Sequence, residues 1–160
     1  MDSDSEEEAR PPRAARELVE QRGVGVLATI SSRLTGYPYA SLTNYAVDEH
    51  GRPLFLLSTL AVHTSNLADE PRASLLVFEE EGLQDPLSAA RVNVMGTVSS
   101  IAGSEIDAAR ATYLRRHPSS SLYIDFGDFA LYRMTITDIY LIGGFGEMGW
   151  VAAADYVRAL

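Results

Sequence analysis

The residues whose types could do chemistry gather in one short stretch, LLSTLAVHTSNL, over positions 56–67. A strand ending in Ser58–Thr59 and opening a helix presents unpaired backbone N–H groups, hydroxyls and the positive end of a helix dipole, a combination suited to a phosphate dianion. His63, Thr64, Ser65 and Asn66 add donors on the following turns. The same pattern serves equally to cap a helix at Ser58 or Thr59, with His63 at the surface or core edge. Other machinery is absent from the sequence. The three histidines, His50, His63 and His117, lack metal-ligand spacing such as HExxH, and there is no G-x-S-x-G elbow, no G-x-G-x-x-G and no P-loop. The chain has no cysteine, which removes disulfides, thiolate zinc sites and a Cys nucleophile.

Further candidates lie on strands. Tyr39, Ser41, Thr43 and Tyr45 alternate on one side of a run from Tyr37 to Val47, either as a polar face for a planar heteroaromatic ligand or as the solvent face of an edge strand. Arg72 and Arg91 each open a β-rich run and could contribute charge or pair with a nearby carboxylate. The stretch GGFGEMGW permits close backbone approach or a plain turn, and Trp150, the single tryptophan, suits a core plug or an interface anchor.

The elements that must position these residues follow from periodicity. Residues 1–13 are charged and hold two prolines, which predicts a disordered acidic arm ahead of one domain over 14–160. A short helix from Ala14 ends at Gly23. Strands are expected at Val24–Ile30, Tyr37–Val47, Leu54–Leu57, Arg72–Phe78, Arg91–Ile101, Phe129–Thr137 and Ile139–Ile142, with Asp138 separating the last two. A crossover helix stops before Pro71, and Ser104 with Asp107 forms a capping box for a helix that runs to Arg115–Arg116–His117. About seven short strands with only two or three helices predict a mainly β (α+β) fold, a small antiparallel barrel with flanking helices.

Composition narrows the partners. The chain has 160 residues and a net charge of −9. No stretch carries the basic density that nucleic acid or an anionic membrane requires. The acidic start has neither a basic n-region nor an apolar core, so a cytoplasmic location is expected.

The segments ARELVEQRGVGVLATIS, GYPYASLTNYAVDEHGRPLFLLSTLAVHTSNLADEPRASLLV, DPLSAARVNVMGTV and DFGDFALYRMTITDIYLIGGFG resemble FMN-binding split-barrel proteins related to pyridoxamine phosphate oxidase, in the haem-utilisation (HugZ-like) and CREG-like branch. The resemblance implies an antiparallel six- or seven-stranded split β-barrel that pairs as a homodimer, with two FMN sites at the subunit interface and flavin-dependent oxidoreductase activity on a small molecule. It also admits a CREG-like binding module without catalysis, or a haem-binding protein. Position by position, it implies that Tyr39 and Ser41 pass beside the flavin, that Ser58 and Thr59 lie at the strand end, and that His63, Thr64, Ser65 and Asn66 form the phosphate turn. Arg91 crosses the site and Trp150 lies near the partner's flavin. Relatives commonly carry Lys or Arg where this chain has Ser65, and haem-degrading relatives use a histidine near the C-terminus, where this chain has none.

Overall fold

In the computed structural model, which describes residues 3–143 and 148–159, eight strands form one antiparallel sheet. These are β1 (Val24–Ile30), β2 (Pro38–Asn44), β3 (Ala46–Val47), β4 (Pro53–Ser58), β5 (Arg72–Phe78), β6 (Arg91–Ser100), β7 (Phe129–Ile142) and β8 (Met148–Ala152). Four helices flank them: α1 (Ser3–Gln21), α2 (Val62–Asp69), α3 (Ile106–Arg116) and α4 (Ala153–Arg158). The strand order is β2-β1-β5-β6-β7-β4-β3, and β8 pairs with β7. The sheet curls into a half-barrel of the expected antiparallel, mainly β class, with eight strands where six or seven were expected.

The long central strand β7 makes the split. Its first residues, Phe129 to Arg133, pair with β4, and its last, Asp138 to Ile142, pair with β8 on that same side. All of β6 runs along the other side. The two closing strands expected around Asp138 are therefore one strand: a register shift between Met95 and Gly96 absorbs an extra residue of β7 and leaves Asp138 paired with Met95. Gly96 is required there, because a Cβ would collide with the Thr135 carbonyl.

Two apolar clusters result. Leu27, Phe55, Leu57, Leu75, Val77, Val92, Val94, Met134 and Ile139 fill the barrel, and Ala15, Leu18 and Val19 of α1 plug it. On the outside, Leu54, Leu56 and Leu131 pack against Ala109 and Tyr113 of α3. This double cover explains why β4 is apolar at successive positions rather than alternating.

Several expectations are corrected. The run Tyr37–Val47 is not one strand: β2 pairs with β1, then Tyr45 turns inward and β3 pairs with β4. Tyr45 is fully buried and its hydroxyl donates to the Val19 carbonyl at 2.7 Å, so it leaves the polar face assigned to it. α1 is helical from Ser3, through the stretch expected as an arm. Packing begins only at Ala15, and the preceding residues from Arg10 are exposed or half-buried, so the N-terminal turns extend a helix that the packed turns nucleate. Ser104 does not cap α3, which starts at Ile106 after a 3-10 turn over Gly103–Glu105. β8 and α4 have no counterpart in the sequence reading. Four residues of the Gly-rich stretch, 144–147, lie outside the described residues.

Candidate functional site

α2 begins later than the Ser58–Thr59 pair suggests. Its N-cap is Ala61, in extended conformation and without a side-chain cap bond. Ser58 is engaged elsewhere: its Oγ donates to Asp128 Oδ2 at 2.6 Å and accepts from the Leu60 N–H at 3.1 Å. The Thr59 N–H donates to the Asp128 carbonyl at 2.7 Å. Asp128 thus anchors the strand-to-helix junction twice, a role the sequence reading missed; its only signal was an acid in the turn ahead of β7.

Beyond the junction, the first turns of α2 send their side chains three ways. His63 points towards β2, where its Nδ1 lies 3.1 Å from Ser41 Oγ. Burial holds its imidazole below the ordinary pKa, which favours the neutral ring. Asn66 is fully buried, donating to Thr29 Oγ1 at 3.0 Å and accepting from the Ser32 N–H at 2.9 Å. With its carbonyl and amide both occupied in joining α2 to β1 and the following turn, Asn66 serves as a structural tie.

Thr64 and Ser65 face a cleft of about 530 Å³ between α2 and the end of β6. Its walls carry Thr59, Thr64, Ser65, Ser99, Ser100 and Tyr132, six hydroxyls, with Leu67, Ala68 and Val98 supplying the apolar surface. No charged side chain lines it. Thr64 is 6% exposed, and its hydroxyl has no hydrogen-bond partner among the described residues. A buried hydroxyl without a partner is costly, and one on the wall of a polar cleft is available to a ligand oxygen. Ser99, Ser100 and Tyr132 were not anticipated, since strand-end serines carry no distinguishing pattern.

Arg91 and Trp150 lie far from this cleft. Arg91 opens β6, separated from Ser99 by about 27 Å of strand. Its guanidinium folds back to donate to the carbonyls of Pro86 and Ala89. Trp150 on β8 is 66% exposed and packs edge-on against Tyr140, ring centroids 5.0 Å apart. Tyr140 pairs with Asn93, so Arg91 and Trp150 share the opposite end of the sheet. Tyr39 is partly exposed on β2, two residues from Ser41. Within one chain, the ten expected residues thus form two separated groups, with Ser58 and Asn66 serving the junction between strand and helix.

No group of His, Asp or Glu among the described residues could hold a metal ion, and no described helix is long and apolar enough to cross a membrane.

The split β-barrel is a fold shared with solved structures of pyridoxamine phosphate oxidase-family proteins from Clostridium acetobutylicum and Listeria innocua, which superpose with TM-scores of 0.70 and 0.64 at 13% and 17% identity. More narrowly, the chain belongs to the CREG β-barrel family, whose model matches residues 6–158. It is 32% identical over 120 residues to the non-canonical heme oxygenase HOZ of the Arabidopsis thaliana chloroplast, an alignment covering 75% of this chain and 36% of that protein. It is 29% identical to human (Homo sapiens) protein CREG1 over 158 residues, covering 90% of this chain and 72% of CREG1. A heme binding protein from Mycobacterium smegmatis superposes with a TM-score of 0.86 at 32% identity, over 92% of this chain and 60% of that one. The chain therefore spans about a third of the heme oxygenase and about three fifths of the mycobacterial protein.

Proposed function

We propose that this chain is a homodimeric FMN-binding protein that uses the flavin for electron or hydride transfer with a small-molecule substrate. The observation that carries the reading is the partnerless, buried Thr64 hydroxyl on the wall of a hydroxyl-lined cleft. Six hydroxyls suit the ribityl chain and phosphate of FMN, each able to donate to an ester oxygen. Thr59, Thr64 and Ser65 would hold the phosphate end, and Ser41 with His63 would border the ring. The bound flavin would supply the redox chemistry, leaving the protein to position it and limit access.

The dimer is supported by the separation of the two groups of site residues. Arg91 and Trp150 cannot reach the cleft of their own chain along β6, but a second copy could bring them there. Exposed Tyr37, Leu42 and Trp150, all more than half accessible, provide apolar surface for such pairing.

A second reading, haem binding, is favoured by His63. Its Nδ1 is oriented by Ser41, while its Nε2 has no hydrogen-bond partner among the described residues, so His63 would be the residue to hold a haem iron. The heme oxygenase and the mycobacterial heme binding protein, each 32% identical, lend this reading weight.

One titration separates the readings. The purified protein is mixed with FMN, riboflavin and haemin in turn. Saturable flavin quenching at tens of micromolar FMN, with riboflavin at least tenfold weaker, is the expected result. A Soret band with haemin that disappears in His63→Ala, together with no FMN quenching, would transfer the assignment to haem. Sedimentation should give twice the 17.4 kDa chain mass, and a monomer at micromolar concentration would remove the shared-site arrangement.

A further inference from the structure

A second cavity, of about 300 Å³, lies where the C-terminal ends of α1 and α3 meet β3. It is lined by Glu20, Arg22, Ala46, Val47, Thr112, Arg115 and Arg116. The sequence contains no lysine, so every cation of this acidic chain is an arginine. Most of the arginines are paired with carboxylates. Among the described residues Arg22, Arg115 and Arg116 make no such pair, and these three converge on one cavity.

The acid on its wall is already committed. Glu20 Oε1 accepts from Arg16 Nε at 2.6 Å, and Arg16 is itself buried. Two of the guanidiniums are held in place by neutral groups. Arg116 donates to the Gln21 carbonyl at 2.6 Å and lies against Gly23, where a Cβ would come within 2.7 Å of its Nε. Arg115 donates to Thr112 Oγ1 at 3.1 Å. Arg22 has its Nε buried without a partner, which leaves its terminal nitrogens as its polar outlet. Helix dipoles favour cations at both helix ends, but three guanidiniums around one small cavity leave positive charge that those ends do not balance.

We infer that this cavity binds a phosphate dianion. Planar guanidiniums offer paired donors that match phosphate oxygens, Thr112 adds a hydroxyl, and Ala46 with Val47 forms an apolar wall for the organic part of a phosphate ester. The site is distinct from the α2 cleft, from which its lining shares no residue, and does not depend on flavin binding there.

The test is isothermal titration of the full chain at low ionic strength with inorganic phosphate and with phenyl phosphate. Saturable binding that weakens at least tenfold in Arg115→Gln and again in Arg22→Gln is the expected outcome. Arg115 is exposed and, among the described residues, its side chain hydrogen-bonds to Thr112 alone, so its replacement keeps the fold readable by circular dichroism. Tighter binding of phenyl phosphate would mark an ester site using the Ala46–Val47 wall, and equal affinity a site for free phosphate. No heat with either probe up to about ten millimolar, or binding lost in Thr64→Val but indifferent to both arginine changes, would overturn the inference.

Discussion

His63 Nδ1 lies 3.1 Å from Ser41 Oγ, joining the first turn of α2 to the inner side of β2. Strand β2 thereby reverses the usual pattern: Ser41 is half-buried beneath the helix while its neighbour Leu42 is 76% exposed. A polar interior and an apolar exterior on one strand are what a ligand-lined inner surface and a paired outer surface would both require.

The pH dependence of stability follows from this contact. Burial depresses the His63 pKa below its ordinary value of 6.5. Between that value and the lower folded one, the unfolded chain holds more protons than the folded chain, so stability rises with pH across this window and is complete above it. Urea midpoints measured downwards from pH 7.5 should fall once the pH passes below 6.5, and His63→Gln should fall less steeply. Parallel profiles for the two proteins would mean that His63 contributes nothing to the slope.

Arg16 should be a stability determinant with no part in the site. It is 2% exposed, donates to Glu20 and to the Glu49 carbonyl, and lies with its guanidinium carbon 5.4 Å from the centre of the Tyr156 ring. It thus ties α1 to α4 and to the turn before β4. Arg16→Met leaves Glu20 and a carbonyl without their donor, at a cost of about 3 kcal/mol and a Tm lower by roughly 10 °C. A calorimetric shift under 2 °C would show that the tie is dispensable.

Gly96 should tolerate no side chain. Any Cβ meets the Thr135 backbone across the bulge that lets β7 serve both β4 and β8. Gly96→Ala should cost about 3 kcal/mol or prevent folding, through forced separation of two central strands. A soluble variant with an unchanged urea midpoint would contradict the close approach.

Why Gly96 escaped the sequence reading, while most strands did not, is a matter of range. Strands β1, β4, β5 and β6 announce themselves because each is a short apolar run between turn residues, and the half-barrel follows from their number. Asp138 read as a break because an acid interrupts the apolar run, yet a two-strand register shift accommodates it, and register is set by the partner strand. Tyr45 kept perfect alternation in sequence and still turned inward, since the Val19 carbonyl that receives its hydroxyl is 26 residues away. The α2 region was legible as the polar end of the fold. Its division of labour, with Asn66 tying, His63 facing β2 and Thr64 facing the cleft, depends on what packs against each helix face.

Ser65 offers a gain-of-function check on the flavin reading. It lines the cleft beside Thr64, and the cleft wall carries no cation. Ser65→Arg should raise FMN affinity about tenfold by adding a charge-assisted bond to the phosphate, with little change for riboflavin. Equal improvement for both flavins would show that the phosphate lies elsewhere.

Thr64→Val separates folding from binding at the same atom. The change keeps the side-chain volume and removes a hydroxyl that is buried without a partner. In the ligand-free protein, this relieves a desolvation cost, so the variant should be more stable by about 1 kcal/mol in urea titration. With FMN the sign reverses. The hydroxyl that was a liability becomes a donor to the bound ester, and its loss should weaken FMN about tenfold while leaving the fold intact. Destabilisation of the ligand-free variant would mean that Thr64 has an internal partner, and unchanged FMN affinity would mean that the ligand does not reach it. Opposite signs in the two measurements are what a residue held in readiness for a ligand, rather than for the fold, must give.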